Sequence, residues 1–195
     1  MTSPADISAT PAEDDIRPSI ADPGVLSFLL ADLSMAFLQD LKTHQQAEDA
    51  GSEDYDFDGH CSGFVQGLAA ILLGQTDLFE MPAHLTADRL AGNFRTELAP
   101  YVEAADPEVR QLCCSNEGIV MFALSLFLDA FIKAVKPHEN EEIEAVFKAL
   151  AEEDFFEDWA DWILGKLPCV PIRLNGMVDD LVAETFKEAE EAQHG

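Results

Sequence analysis

Apolar residues recur along this chain at intervals of three and four, the repeat of a helix that buries one face. Leu26, Leu29, Leu30, Leu33, Phe37 and Leu41 form the first stripe. It follows Asp22-Pro23, a cap residue and then a proline at the first helical position, and predicts a helix over 23–48. The acidic stretch from Glu48 to Asp58 ends it. A second helix is expected from Cys61 to Gly74, with Phe64, Leu68, Ile71 and Leu72 inward and Gly74 as the stop. Thr76–Glu80 reads as one turn before Pro82. Thr86 suits the cap of a third helix carrying Leu90, Phe94 and Leu98, which Pro100 kinks or ends. Asp106-Pro107 repeats the cap-plus-proline signal ahead of Val109, Leu112 and Cys113.

Residues 118–135 are apolar almost all round. Their length approaches that of a membrane span, but Asp129 and Lys133 interrupt them, Pro137 closes them, and acids follow where a span favours a basic flank. A central helix buried on most sides, and no membrane span, is the expectation. Asn140 is the expected cap of the next helix, with Glu141 and Glu142 at its positive end and Ile143, Val146, Phe147 and Leu150 inward. The pattern resumes after a break through Phe155, Phe156, Trp159, Trp162 and Ile163 to Leu167. Pro168 and Pro171 mark a linker, and a last stripe runs through Leu174, Met177, Val178, Leu181, Val182 and Phe186. Strand alternation and fixed-period repeats are missing from the sequence. The expected fold is therefore all-α: a single-domain bundle of about six or seven helices around the buried 118–135 helix. Residues 1–21 read as a disordered acidic arm, 22–187 as the helical domain and 188–195 as a polar tail.

Charge adds a constraint on partners. Thirty-eight acids against 11 bases give a net charge of −27. Residues 1–60 hold 13 acids and 2 bases, 139–195 hold 16 and 4, and the middle of the chain is nearly balanced. Such a field repels nucleic-acid backbones and anionic membranes, and it attracts a basic or apolar peptide or protein with basic flanks. Solubility or adaptation to salt is the plainer account of the same acidity. Cys61, Cys113, Cys114 and Cys169 lack C-x-x-C spacing, and the start of the chain lacks a basic region followed by an apolar one. Free, mostly buried thiols in a cytoplasmic protein are expected.

Three local patterns carry candidate chemistry. Asp54, Asp56 and Asp58, followed by Gly59, reproduce the opening of a calcium-binding loop between helices. Val65 stands where such a loop needs a bidentate Glu, so only weak Ca or Mg binding is predicted; an ordinary acidic connection is the plainer reading. His60-Cys61 and Cys113-Cys114 are adjacent pairs, and adjacent helical residues diverge by about 100°, which favours packing over shared metal ligation. Catalytic motifs are lacking and the five histidines are scattered, so no catalytic residue is assigned and a non-enzymatic role is favoured.

The third pattern is the aromatic–acidic run from Phe155 to Trp162. Phe155, Trp159 and Trp162 share a helical face, while Glu157, Asp158 and Asp161 fall elsewhere. Core packing with a solvated acidic flank accounts for this simply. The functional alternative is an aromatic-floored acidic groove for a polypeptide, with Glu117 as a further acid ahead of the long apolar helix. Two other classes fit the same composition: a small-molecule or cofactor pocket beside 118–135, and an acidic surface that mimics DNA.

The segment Phe155-Phe156-Glu157-Asp158-Trp159-Ala160-Asp161-Trp162-Ile163-Leu164-Gly165-Lys166-Leu167, its Pro-containing linker and the closing stripe from Pro171 to Phe186 resemble the cytosolic maturation chaperones of molybdenum redox enzymes, which bind twin-arginine leader peptides. Leu29-Leu30-Ala31-Asp32-Leu33 is similar in character. The resemblance covers about a third of the chain and implies an all-α fold and peptide binding. The family's Glu-Pro-Asp-His type motif is replaced here by Ser115-Asn116-Glu117-Gly118, with only the acid kept.

Overall fold

The computed structural model describes residues 17–49, 56–138 and 140–171. Among these the protein is an all-α single domain: α1 (Pro23–Asp49), α2 (Phe57–Leu72), α3 (Ala87–Ala104), α4 (Pro107–Leu112), α5 (Asn116–Val135), α6 (Ile143–Glu152) and α7 (Phe155–Ile163), with a 3-10 turn at Lys136–His138. Asp54, most of the arm, the last apolar stripe and the polar tail lie outside the described residues.

The helix starts follow from their caps. Asp22 Oδ1 accepts from the N–H groups of Gly24 at 2.8 Å and Val25 at 3.4 Å. Thr86 accepts from Arg89 and Asp106 from Glu108 and Val109, as their positions predict. Gly74 ends α2 at φ 67°, with Gln75 N–H reaching back to the Ala70 carbonyl at 2.8 Å. Gly165 closes α7 the same way at φ 71°. These are the left-handed terminators that glycine adopts without a steric penalty.

Helix α5 is the centre of the core. Ile119, Val120, Ala123, Leu124, Phe127 and Phe131 are fully buried along it. It packs on α2 and α3, and its rings reach further. Phe127 meets Phe64 of α2 and, at 5.2 Å, Trp159 of α7. Phe131 meets Phe147 of α6 and Phe156 of α7. Asp129 and Lys133 share the remaining solvent-facing stripe, 3.3 Å apart. Each fully buried Leu or Phe contributes about 1.5–3 kcal/mol by leaving water, so this helix dominates the apolar stabilisation. Helix α1 lies across α7 and α6 and buries Leu26, Leu30 and Phe37.

Several expectations are corrected. Residues 17–21, expected in the arm, are part of the fold: Ile20 is completely buried, its N–H donates to the Glu80 carbonyl at 3.1 Å, and Glu80 N–H donates to the Pro18 carbonyl at 3.0 Å. That short parallel bridge takes the place of the turn expected at Thr76–Glu80. Helix α2 begins at Phe57, four residues ahead of Cys61. Pro100 sits inside α3, which runs on to Ala104 from this exposed position. Asn140 does not cap α6; Glu142 is the residue before it, without a side-chain cap bond. Glu141 N–H instead donates to the His138 carbonyl at 2.9 Å, and the helix starts beyond that bond.

Candidate functional site

The aromatic–acidic helix is a core element. Trp159 and Trp162 are each only 1 % exposed, and Phe155 is half-buried. Trp162 donates its indole N–H to Glu97 Oε2 of α3 and packs on Phe94 with ring centroids 4.9 Å apart. Trp159 stands edge-on to Trp162 at 5.3 Å. The face expected to floor a groove is therefore closed by α3 and α5. This corrects the reading of Trp159 and Trp162 as a partner surface, because a side chain enclosed in the core presents no area to a partner; Phe155 keeps part of its ring at the surface. Asp158 is exposed, and Asp161 is half-buried beside Lys166 at 3.4 Å. Glu117 is exposed in the first turn of α5, ten residues and about 15 Å along the helix from Phe127, which meets Trp159.

The calcium-loop reading also gives way. Residues 57–65 are helical, so nine of the twelve positions that would wrap a cation are wound into α2. Asp56 is the N-cap, and its Oδ1 accepts from Gly59 N–H at 2.9 Å. Asp58 is exposed in the first turn and Val65 is buried in the core. Gly59 has a different reason to be there: a Cβ would lie 2.3 Å from Asp56 Oδ2, so the glycine lets the capping carboxylate fold over the helix start. Among the described residues, no three His, Cys, Asp or Glu side chains are placed to hold a metal ion.

Neighbouring polar groups act as ties between helices. His60 stacks on Phe37 at 4.7 Å and its Nδ1 is 3.4 Å from Asp40 Oδ2, joining α2 to α1. Lys42 donates to the Glu141 carbonyl at 2.9 Å. The thiol of Cys61 is pushed above its ordinary range by burial and then by the Asp58 charge. That of Cys113 is raised by burial and then by Cys114. Both are poor nucleophiles in consequence. Cys114 and Cys169 are exposed, which departs from the expectation of mostly buried thiols.

The feature that motif reasoning missed lies at the start of α1. Pro18, Val25, Phe28, Leu29 and Phe79 line an apolar groove of about 610 Å³, with Asp22 and Asp32 on its lining. Phe28 is 72 % exposed on it, and Leu78 nearby is 63 % exposed. The sequence did hold a signal. Phe28 is two residues from both Leu26 and Leu30, hence about 200° from the stripe that enters the core. An apolar residue so placed marks a second sticky face.

Helices α1 and α5 are both long and apolar enough to cross a membrane, by length and composition alone. No protein-family model, curated protein or solved structure matches the chain.

Proposed function

We propose that this protein is a non-enzymatic binder of another polypeptide, and that the groove at the start of α1 is where the partner docks. The observation that carries the reading is Phe28: a large aromatic side chain left mostly in water beside an apolar groove. Exposed apolar area of this kind is characteristic of binding surfaces, and a polar rim orients what settles there. The charge of −27 supplies the preference for a basic partner.

A maturation chaperone for a redox enzyme, working in the cytoplasm, is the finer form of this proposal. Its support is the sequence resemblance described above. The tryptophans that carry that resemblance lie in the core here, so they speak to fold rather than to binding.

The test compares proteins retained from an extract of the source organism by the wild-type chain and by Phe28→Glu, at low salt where charge attraction is strongest. A polypeptide held by the first and lost by the second is the expected result. Retention of nothing, or equal retention by both, overturns the reading. A bound organic molecule released from the purified wild-type protein and missing from Phe28→Glu would instead support a small-molecule site, since the groove volume also suits one.

A further inference from the structure

The geometry points to the form of the partner: an extended segment with three or four consecutive residues between two basic side chains, its apolar side chains in the groove and its cations on Asp22 and Asp32. The inference rests on the polypeptide-binding reading and narrows it.

The two carboxylates mark the ends of one helical face. Asp22 caps α1 and Asp32 lies ten residues on, which at 1.5 Å per residue puts them about 15 Å apart along the axis. Between them lie Val25, Phe28 and Leu29. Both cap bonds of Asp22 fall on Oδ1, so Oδ2 of this exposed side chain can take a cation without unseating the helix. Asp32 is exposed and makes no ion pair among the described residues. Arg17, next to Pro18 of the groove lining, is 3.7 Å from Asp77.

Size favours an extended occupant. A volume of about 610 Å³ spread over about 15 Å leaves about 40 Å² of cross-section. An extended chain occupies about 4.8 by 10 Å, whereas a helix 10–12 Å across needs about twice that area. At about 3.3 Å per residue, 15 Å is spanned by four to five residues, which sets the basic side chains at positions i and i+4 or i+5. Charge decides among other occupants. A second copy of this chain would bring another −27, and an anionic bilayer would be repelled as well.

The experiment uses the full chain and labelled twelve-residue peptides in fluorescence anisotropy at low and high salt. One peptide carries Lys at i and i+5 around four apolar residues. A second replaces both Lys by Glu, and a third keeps the composition with the two Lys adjacent. Asp22→Asn keeps the cap acceptor and removes the charge, and Asp32→Asn does the same on an exposed site. The first peptide is expected to bind most tightly, losing about threefold to fivefold for each Asp→Asn change at low salt, as exposed ion pairs do. It is expected to lose more than about tenfold with Phe28→Ala, as a central aromatic anchor does. Asp32→Lys is expected to invert the preference toward a peptide with Glu at the matching position. If Phe28→Ala weakens the peptides but the Asp variants and the Lys spacing change nothing, the charge clamp is wrong and the groove reading stands. If Phe28→Ala leaves every peptide unaffected, the groove reading falls and this inference with it. Circular-dichroism melts confirm that each variant is folded.

Discussion

Helices α1 and α5 have similar apolar content and reach opposite outcomes. Over the segments long enough to span a bilayer, 56 % of α5 is buried against 39 % of α1. Helix α5 is enclosed by α2 and α3, with aromatic rings from α6 and α7 closing on Phe127 and Phe131. Helix α1 places one stripe on α7 and α6 and leaves Phe28 on its other side in water. Apolar composition therefore measures how much a helix can bury. Whether the burial happens within the fold or against a partner depends on the number of neighbours the topology supplies. On this view α5 holds the protein together, and the start of α1 is the face left for the proposed partner.

The largest test of that division is a pair of truncations. Phe127→Ala, in the middle of α5, is expected to cost about 3–5 kcal/mol in urea unfolding, because it leaves a cavity between three helices. Phe28→Ala is expected to change stability by no more than about 0.5 kcal/mol. Equal losses would mean that Phe28 is structural and the comparison false.

Gly118→Ala should come next. A Cβ there would lie 1.9 Å from the Leu112 carbonyl, which the Ser115 N–H and hydroxyl already hold at 3.2 and 3.1 Å. Neither backbone can yield easily, so a loss of about 1–3 kcal/mol is expected by chemical denaturation. The caps sharpen the comparison further. Ser115→Ala at α5 and Asp22→Ala at α1 each remove an acceptor, from Gly118 N–H and from Gly24 N–H respectively, and each should cost about 1 kcal/mol. Asp22→Asn should restore most of that stability. Its failure to do so would show that charge rather than the cap bond is what Asp22 supplies.

The smallest effect concerns the thiols. With its pKa raised by burial, Cys113 holds less thiolate at pH 8 than an ordinary cysteine. Mass spectrometry after timed alkylation should find the exposed Cys114 and Cys169 modified before Cys113. Early loss of Cys113 would show that the α4–α5 corner opens readily.

Local chemistry made much of this fold readable. Asp22, Thr86, Asp106 and Gly74 act where their positions indicate, because a cap or a stop is decided within three or four residues. The central helix was readable from an apolar run that only Asp129 and Lys133 interrupt. What failed needed information from far along the chain. Ile20 is ordered by Glu80, and nothing beside Ile20 in sequence announces that. The spacing of the α7 tryptophans sets them on one helical face, but whether that face is covered depends on Phe94 and Glu97 of α3. Asp56 reads as a metal ligand or as a helix cap until one knows that winding begins at Phe57. The candidate site was the least legible part. Phe28 stood in plain view off the stripe, yet its wall, Phe79, comes from the segment between α2 and α3.

The bridge between Ser19 and Glu80 has a consequence for the order of assembly. Two backbone hydrogen bonds join points about 60 residues apart and so close a ring that contains α1 and α2. A contact of that sequence separation is gained late in folding and, being small, is among the first released in native fluctuations. The amides of Ile20 and Glu80 are then expected to exchange with deuterium well before those at the centre of α5. Pro18 and Phe79 flank this clasp, so one wall of the groove is set by a helix and the other is expected to open with the clasp. Occupancy of the groove should slow exchange at those two amides first.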